Sequence, residues 1–298
     1  MTLPPGLTMR LEDAGLDPYY TSDFVRAALD EDLDGGGDVT TLATVDSDSE
    51  ATGDFIARGE GIVAGLAVAE VALWHCGAES IRIGPRMEDG SHVWRGNILM
   101  TARGPTRALL TAERTALNIL CHLSGVATLT RKWVDAVVGT PATIRDTRKT
   151  TPLMRRLERY AVRCGGGANH RMSLSDSALV KDNHALAAGG VGLAYKRVRA
   201  ASPDVLVQVE VGSVEEALEA LEAGAGVLLL DNMPPSEMRR AVRRIGGRAQ
   251  VEASGALSLE RAWAVAQTGV DGIAVSTLAQ SAPALDIALD LRQSEGVY

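Results

Sequence analysis

Between Arg145 and His184 the chain carries Arg148, Lys149, Arg155, Arg156, Arg159, Arg163, His170, Arg171 and Lys181, although the whole sequence has a net charge of -8. Guanidinium forks match carboxylate oxygens in pairs and an ammonium acts as a point charge, so this density suits a small polyanion. The cations are grouped: Thr147-Arg148-Lys149-Thr150, Gly165-Gly166-Gly167-Ala168-Asn169-His170-Arg171 and Val180-Lys181-Asp182-Asn183-His184 read as three edges of one pocket. Glu210, Asp231 and Glu252 then follow 21 residues apart. Carboxylates suit sugar hydroxyls or Mg²⁺, an ion that keeps substrate phosphates among its ligands. Ser254-Gly255-Ala256 and Ser276-Thr277 suit phosphate cradles of backbone N–H groups. A mouth with one cationic and one acidic or hydroxyl-bearing side fits a reaction that joins two partners.

The elements that must position these residues are legible as a change of texture. After Thr140, short apolar runs at Ala142–Arg145, Ala178–Lys181, Val205–Val211, Gly226–Leu230, Ala249–Glu252 and Gly272–Val275 alternate with helical patterns at Val214–Ala223, Glu237–Ile245 and Leu259–Thr268. Continuous apolar strands alternating with helices predict a parallel sheet covered by helices. Each strand ends in polar residues, and a barrel gathers such ends at one mouth; an open doubly wound sheet would spread them along an edge, and no GxGxxG follows the first strand. Before Thr140 the pattern is that of a small α+β domain. A helix is expected over Tyr20–Leu33, short strands over Asp54–Ala57, Ile81–Ile83 and Ile98–Ala102, and a helix over Val68–Cys76. Two further helices are expected, Leu109–Leu123 and Ala127–Val138.

A chain of 298 residues, 46% hydrophobic and 23% charged, is long enough for one large domain plus a smaller one. The acidic balance, with pI ≈ 5.2, argues against a general affinity for nucleic acid or anionic membrane. Cys76, Cys121 and Cys164 are odd in number and in no CxxC spacing, which implies neither a disulfide framework nor a zinc site and suits a reducing cytoplasm. Glu12, Asp13 and Asp17 fall where a signal peptide would be apolar, so no targeting or membrane role is expected. Arg155, Arg156, Arg159 and Arg163 share a helix-like segment and are expected to be solvated or partner-facing. His75, His92 and His122 are expected to be structural, and Asp38-Val39-Thr40-Thr41 to be an Asx-type turn. His184 orients the Lys181 loop or caps a helix; Glu252 contacts ribose or Mg²⁺, or satisfies a backbone donor.

Taken in order, Leu110-Thr111-Ala112-Glu113-Arg114, Thr147-Arg148-Lys149-Thr150, Tyr160-Ala161-Val162, Gly165-Gly166-Gly167, Asn169-His170-Arg171, Leu174 with Asp176, Lys181-Asp182-Asn183-His184 and Leu230-Asp231-Asn232 resemble the quinolinate phosphoribosyltransferase family. The family is also called nicotinate-nucleotide pyrophosphorylase (carboxylating), and the likeness runs from Glu31-Asp32-Leu33 and Asp38-Val39-Thr40-Thr41 almost to the end. The resemblance implies an N-terminal open-faced α/β sandwich domain, residues 1–124, and a C-terminal incomplete (β/α) TIM-like barrel, residues 125–298, whose last ~15 residues return to the first domain. It implies a homodimer or dimer-based oligomer with shared sites, and quinolinate and 5-phosphoribosyl 1-diphosphate as substrates with Mg²⁺. Carried over by position, the quinolinate ligands are Arg148, His170, Arg171 and Lys181, with Lys149 near the reacting centre and Arg114 reaching in from a partner. The phosphoribosyl ligands are Glu210, Asp231, Ser254, Gly255, Ala256, Ser276 and Thr277; Lys149, Glu210 and Asp231 would be catalytic, the last two beside Mg²⁺.

Ala256 and Ser276 stand where the family usually has glycine, and either would strain its loop if φ > 0 were required there. Leu153 and Gln280 likewise stand where glycine and histidine are common. Three other readings remain at this stage: a Schiff-base enzyme using Lys149 or Lys181, a paralogue of molybdenum-operon type or one acting on another aromatic acid, and a non-catalytic anion-binding relative.

Overall fold

The computed structural model describes residues 2–293. Helices α1 (Pro5–Asp13) and α2 (Pro18–Leu33) open the chain, the second started by the Asp17 carboxylate, which accepts the Tyr19 and Tyr20 N–H groups. Asp38 caps α3 (Val39–Thr44) in the same way through Thr41 N at 2.9 Å, so the expected Asx-type turn is the start of a short helix. Strands β1 (Glu50–Ala57) and β2 (Gly61–Ile62) lead to α4 (Leu66–Gly77). Residues Leu66 to Leu73 of α4 are all buried; seven of the eight are apolar, and the eighth, Glu70, meets Arg10 and Arg86. Then come β3 (Arg82–Arg86), β4 (His92–Val93), β5 (Ile98–Pro105) and α5 (Thr106–Asp135).

Helix α5 replaces the two helices expected from the sequence. Ser124 and Gly125 read as a break, yet both serve contacts of a continuous helix. Ser124 Oγ accepts the Ala64 N–H at 3.0 Å, and a Cβ on Gly125 would lie 2.2 Å from the Pro283 carbonyl oxygen. The missing side chain is the condition for that backbone approach.

From there the chain runs through β6 (Thr143–Arg145), α6 (Arg155–Cys164), β7 (Ala178–Val180), α7 (Asp182–Ala188), α8 (Val191–Ala201), β8 (Val207–Val211), α9 (Val214–Glu222), β9 (Val227–Asp231), α10 (Pro235–Ile245), β10 (Gln250–Ser254), α11 (Ala262–Ala266), β11 (Gly272–Ala274), α12 (Thr277–Gln280) and β12 (Ile287–Gln293). Two compact units result: Met1–Leu129 with Thr151–Gly166 and Ser281–Tyr298, and Thr130–Thr150 with Gly167–Gln280. The boundary expected at 124/125 lies within α5, and α6 belongs to the first unit. There Tyr160 donates to Asp89 at 2.7 Å, His122 meets the buried Glu158 at 2.9 Å, and Arg163 donates to the Ala14 carbonyl at 2.7 Å. Arg159, expected to be solvated or partner-facing, is 5% exposed; Arg156 stacks over the Tyr20 ring at 5.2 Å.

The first unit holds a sheet of order β12-β1-β5-β3, with β12 returning antiparallel onto β1. The rest of the expected C-terminal return, residues 294–298, lies outside the described residues. The second unit holds a six-stranded sheet of order β6-β11-β10-β9-β8-β7, with every pairing parallel. Its end strands β6 and β7 are not paired with each other, so the barrel is incomplete. Val-Leu-Leu-Leu in β9 is the near-continuous apolar run that a sheet covered on both faces requires, whereas Val-Gln-Val-Glu-Val in β8 alternates, with Gln208 buried and Glu210 at the cavity.

Candidate active site

The parallel strands deliver their C-terminal ends to a cavity of about 640 Å³, a size suited to small-molecule ligands. From the loop after β6 come Arg148 and Lys149; from the segment before β7, His170 and Arg171; from the end of β7, Lys181. From β8 and β9 come Glu210 and Asp231, and from the turns after β10 and β11 come Ser254, Gly255, Ala256, Ser276 and Thr277. Arg114 is not among the lining residues. It belongs to α5 in the first unit, with its side chain 64% exposed and only a 3.9 Å approach to Glu113.

The cationic side is strongly charged and unevenly satisfied. Burial and the nearby Arg148 guanidinium push the Arg171 pKa down, against the attraction of Asp176. Arg171 Nη1 donates to the Ser177 carbonyl at 2.6 Å, while the buried Nε of Arg148 has no hydrogen-bond acceptor. An anion here relieves guanidinium repulsion and supplies acceptors. Lys181 Nζ lies 2.9 Å from Glu210 Oε2, so the two expected walls touch across the mouth. That ion pair is unlike the desolvated setting of a Schiff-base lysine, which counts against Lys181 in that role. His184 accepts the Lys181 N–H through Nδ1 at 3.0 Å and thereby secures the start of α7.

Asn232, missed as a site residue although it stands in the quoted Leu230-Asp231-Asn232 run, organises the acidic side. At φ 53 it occupies the left-handed region that asparagine tolerates better than most residues. Its Nδ2 donates to Asp231 Oδ2 at 2.8 Å, and its Oδ1 accepts the Ala256 N–H at 2.9 Å. That N–H, expected to face a phosphate, is therefore spent inside the loop. Neither Ala256 nor Ser276 has positive φ, so the strain considered for these substitutions does not arise. The residue that must be glycine is Gly255, at φ +115, where a Cβ would stand 2.3 Å from Asn232 Oδ1. Gln280 also lines the cavity.

Glu252 does not line the cavity. It is fully buried and pairs with Arg145, with His170 Nε2 3.6 Å from its second oxygen, so neither a ribose contact nor a backbone donor explains it. Burial raises its carboxyl, but the His170 and Arg145 contacts outweigh that and leave its pKa lowered. His75 bonds Ser22 at 3.1 Å, and His92 lies against Trp94 and 3.4 Å from Glu60, so both are held by their surroundings in the first unit.

Fold and mouth together define an α/β-barrel protein whose cavity has a cationic side and an acidic side. Family models narrow the class. The quinolinate phosphoribosyl transferase C-terminal domain matches residues 126–290, and the N-terminal domain of the same family matches residues 38–124. The chain is 49% identical over 273 residues to the nicotinate-nucleotide pyrophosphorylase [carboxylating] of Mycobacterium leprae, covering 90% of this chain and 96% of that one. It is 38% identical over 265 residues to the probable enzyme of that name from Bacillus subtilis, covering 89% and 91%. The crystal structure of NadC from Streptococcus pyogenes superposes with a TM-score of 0.90 at 37% identity, covering 94% of this chain and 99% of that one. The chain belongs to the quinolinate phosphoribosyltransferase family.

Proposed function

We infer that this chain is the enzyme that converts quinolinate and 5-phosphoribosyl 1-diphosphate into nicotinate mononucleotide, diphosphate and CO₂ in NAD biosynthesis. The observation that carries the reading is the convergence of Arg148, His170, Arg171 and Lys181 with Glu210 and Asp231 on one cavity. The curated relatives support it by name. Arg148 and Arg171 bind the two carboxylates of the pyridine acid, with His170 and Lys181 beside them. As the ribose C1–O bond to diphosphate breaks, the pyridine nitrogen forms its bond to C1 and becomes cationic. The bond to the adjacent carboxylate then breaks, CO₂ leaves, and the electron pair stays beside that positive nitrogen until a proton replaces it. Lys149, exposed at the rim, meets the developing charge near the reacting centre. Holding both partners in one mouth supplies an orientation advantage that reaches about 7–11 kcal/mol in favourable cases.

Glu210 and Asp231 are the two carboxylates lining the cavity, and among the described residues no cluster of three or more His, Cys, Asp or Glu is placed to hold a metal. Two carboxylates fit a Mg²⁺ that takes its other ligands from phosphate and water. Glu210 and Asp231 would hold such an ion, which would supply positive charge to offset that of the departing diphosphate.

The reading includes a homodimer in which the Arg114 of a second copy completes each site, in keeping with the exposure of that guanidinium. It also includes a cytoplasmic setting, in keeping with three free cysteines. Among the described residues no helix is long and apolar enough to cross a membrane. The test is incubation with quinolinate, 5-phosphoribosyl 1-diphosphate and Mg²⁺, with nicotinate mononucleotide followed by chromatography. Quinolinate binding without product would overturn the enzymatic reading. For the shared site, Arg114→Ala and Lys149→Ala chains are each inactive and regain activity when mixed; no recovery in proven mixed dimers rejects it.

A further inference from the structure

Beneath the mouth lies a buried polar cluster that the substrate-facing roles leave unused. Glu252 accepts from Arg145 through Oε1, while its buried Oε2, without a hydrogen-bond partner among the described residues, faces His170 Nε2 at 3.6 Å. The His170 ring, 7% exposed, accepts the Arg171 N–H on Nδ1 at 2.9 Å. A ring nitrogen that accepts a hydrogen bond carries no proton, so the neutral imidazole has its proton on Nε2, toward the unsatisfied oxygen. Asp146, 1% exposed, takes the His170 backbone N–H at 2.7 Å and Asn169 Nδ2 at 2.6 Å. Arg145 Nη2 donates to the Asn169 carbonyl at 3.1 Å. Residues 169–171 are therefore hung from Arg145 on β6, Asp146 just after it, and Glu252 on β10.

Gly272 makes the cluster possible. On β11, between β6 and β10, it pairs with Thr143 on one side and Glu252 on the other. A Cβ there would lie 3.2 Å from Glu252 Cγ and 3.6 Å from Arg145 Cδ. Burying a carboxylate with one oxygen lacking a hydrogen bond is costly, and an apolar filling of similar volume often serves stability as well or better. The geometry directs that cost at a single ring.

We propose that Glu252 is a positioning residue: with Arg145 and Asp146 it holds His170 as the Nε2–H tautomer and sets the ring and Arg171 at fixed places on the cationic wall. The identity of the anion they meet rests on the function proposed above; the tautomer does not. The experiment is ¹⁵N NMR of the full chain labelled at histidine, with the His170 signals assigned by their loss in His170→Gln. The expected result is protonated Nε2 and bare Nδ1. In Glu252→Gln the partner of Nε2–H loses its charge, so the Nε2 signal shifts and a share of the Nδ1–H tautomer appears against the preference set by the Arg171 N–H. The KM for quinolinate then rises about tenfold or more, while that for 5-phosphoribosyl 1-diphosphate changes less than about threefold. Gly272→Ala, which presses on the Glu252 side chain without changing its chemistry, moves the same two readouts in the same direction if Glu252→Gln does not fold. A protonated Nδ1 in the wild type overturns the proposal. So does retention of the Nε2–H tautomer and of the quinolinate KM in the folded variants. Should the wild type make no nicotinate mononucleotide, the NMR result still decides the tautomer, and only the reaction assignment falls.

Discussion

Glu70 in α4 and Glu252 in β10 are 2% and 0% exposed, and each faces two basic side chains, yet their carboxyls shift in opposite directions. Glu70 meets Arg10 and, at 3.2 Å, Arg86; burial outweighs them and its pKa is raised. Glu252 meets Arg145 and His170, and there the partners outweigh burial and the pKa is lowered. Proximity of basic side chains does not by itself decide the protonation of a buried acid. The first unit keeps a carboxyl that can accept a proton as a way out; the barrel keeps one committed to its charge, directly under the cationic wall.

The sharpest way to break this contrast is to remove one arginine from each pair. Arg145→Ala leaves Glu252 as a buried, committed charge and is expected to cost about 3–5 kcal/mol. Arg10→Ala leaves Glu70 with Arg86 and the option of protonation, at a cost of about 1–3 kcal/mol. Urea unfolding of both variants measures the difference, and equal losses would mean that the two acids are alike.

The contrast extends to the backbone. In the barrel, Gly255 adopts φ +115 against Asn232, whose own amide organises Asp231 and Ala256. Gly255→Ala forces a Cβ to within 2.3 Å of Asn232 Oδ1 and 2.8 Å of its backbone nitrogen, so the loop must move. The expected loss is about 1–3 kcal/mol of stability. With it, kcat/KM for 5-phosphoribosyl 1-diphosphate falls about tenfold or more, the quinolinate Kd being little changed. Equal loss of both ligands would place Gly255 in general barrel integrity instead of the acidic side.

A pH series sharpens the comparison further. Glu252, with its folded pKa below the ordinary value of 4.5, contributes stability above that value and loses it as pH falls through the folded pKa. Glu70, raised above 4.5, contributes fully below that value and loses its contribution as pH rises through the raised pKa. Hydrogen exchange, corrected for the intrinsic pH dependence, should therefore show protection of β10 falling on acidification from about pH 6 to about pH 3 while that of α4 holds or increases. Parallel loss in both elements contradicts the opposite shifts.

The regular interval from Glu210 through Asp231 to Glu252 was enough to place strands, but not to say which carboxylates reach the mouth. Ladder register does not decide that, since Glu210 and Glu252 both pair with Leu229; the neighbours do, Arg145 and His170 closing over Glu252 while Glu210 meets Lys181 at the mouth. One period therefore yields two lining residues and one buried anchor. Gly125 and Gly272 were similarly opaque, because each makes room for a group distant in sequence, the Pro283 carbonyl in one case and the Arg145–Glu252 pair in the other. Strand ends, helix caps and the cationic segments are local features and could be read directly. Asn232 could have been found from the same run, since an asparagine just past a strand end is a favoured left-handed turn residue.

Leu153 gives the smallest expected effect and a counterpart to Gly255. It sits at φ 64 with its side chain 81% exposed, and its carbonyl accepts the Tyr20 hydroxyl. A left-handed conformation costs a residue with a Cβ about 1–2 kcal/mol, and glycine removes that cost. Glycine also has more unfolded-chain freedom to lose, worth about 0.5–1 kcal/mol, and the Tyr20 bond uses only the backbone. The opposing terms predict that Leu153→Gly changes stability by less than about 1 kcal/mol, with a bias toward stabilisation. Thermal unfolding at matched pH measures it. A larger loss would mean that the leucine side chain, despite its exposure, contributes packing that Gly255 by its nature cannot, and the parallel between the two left-handed positions would fail.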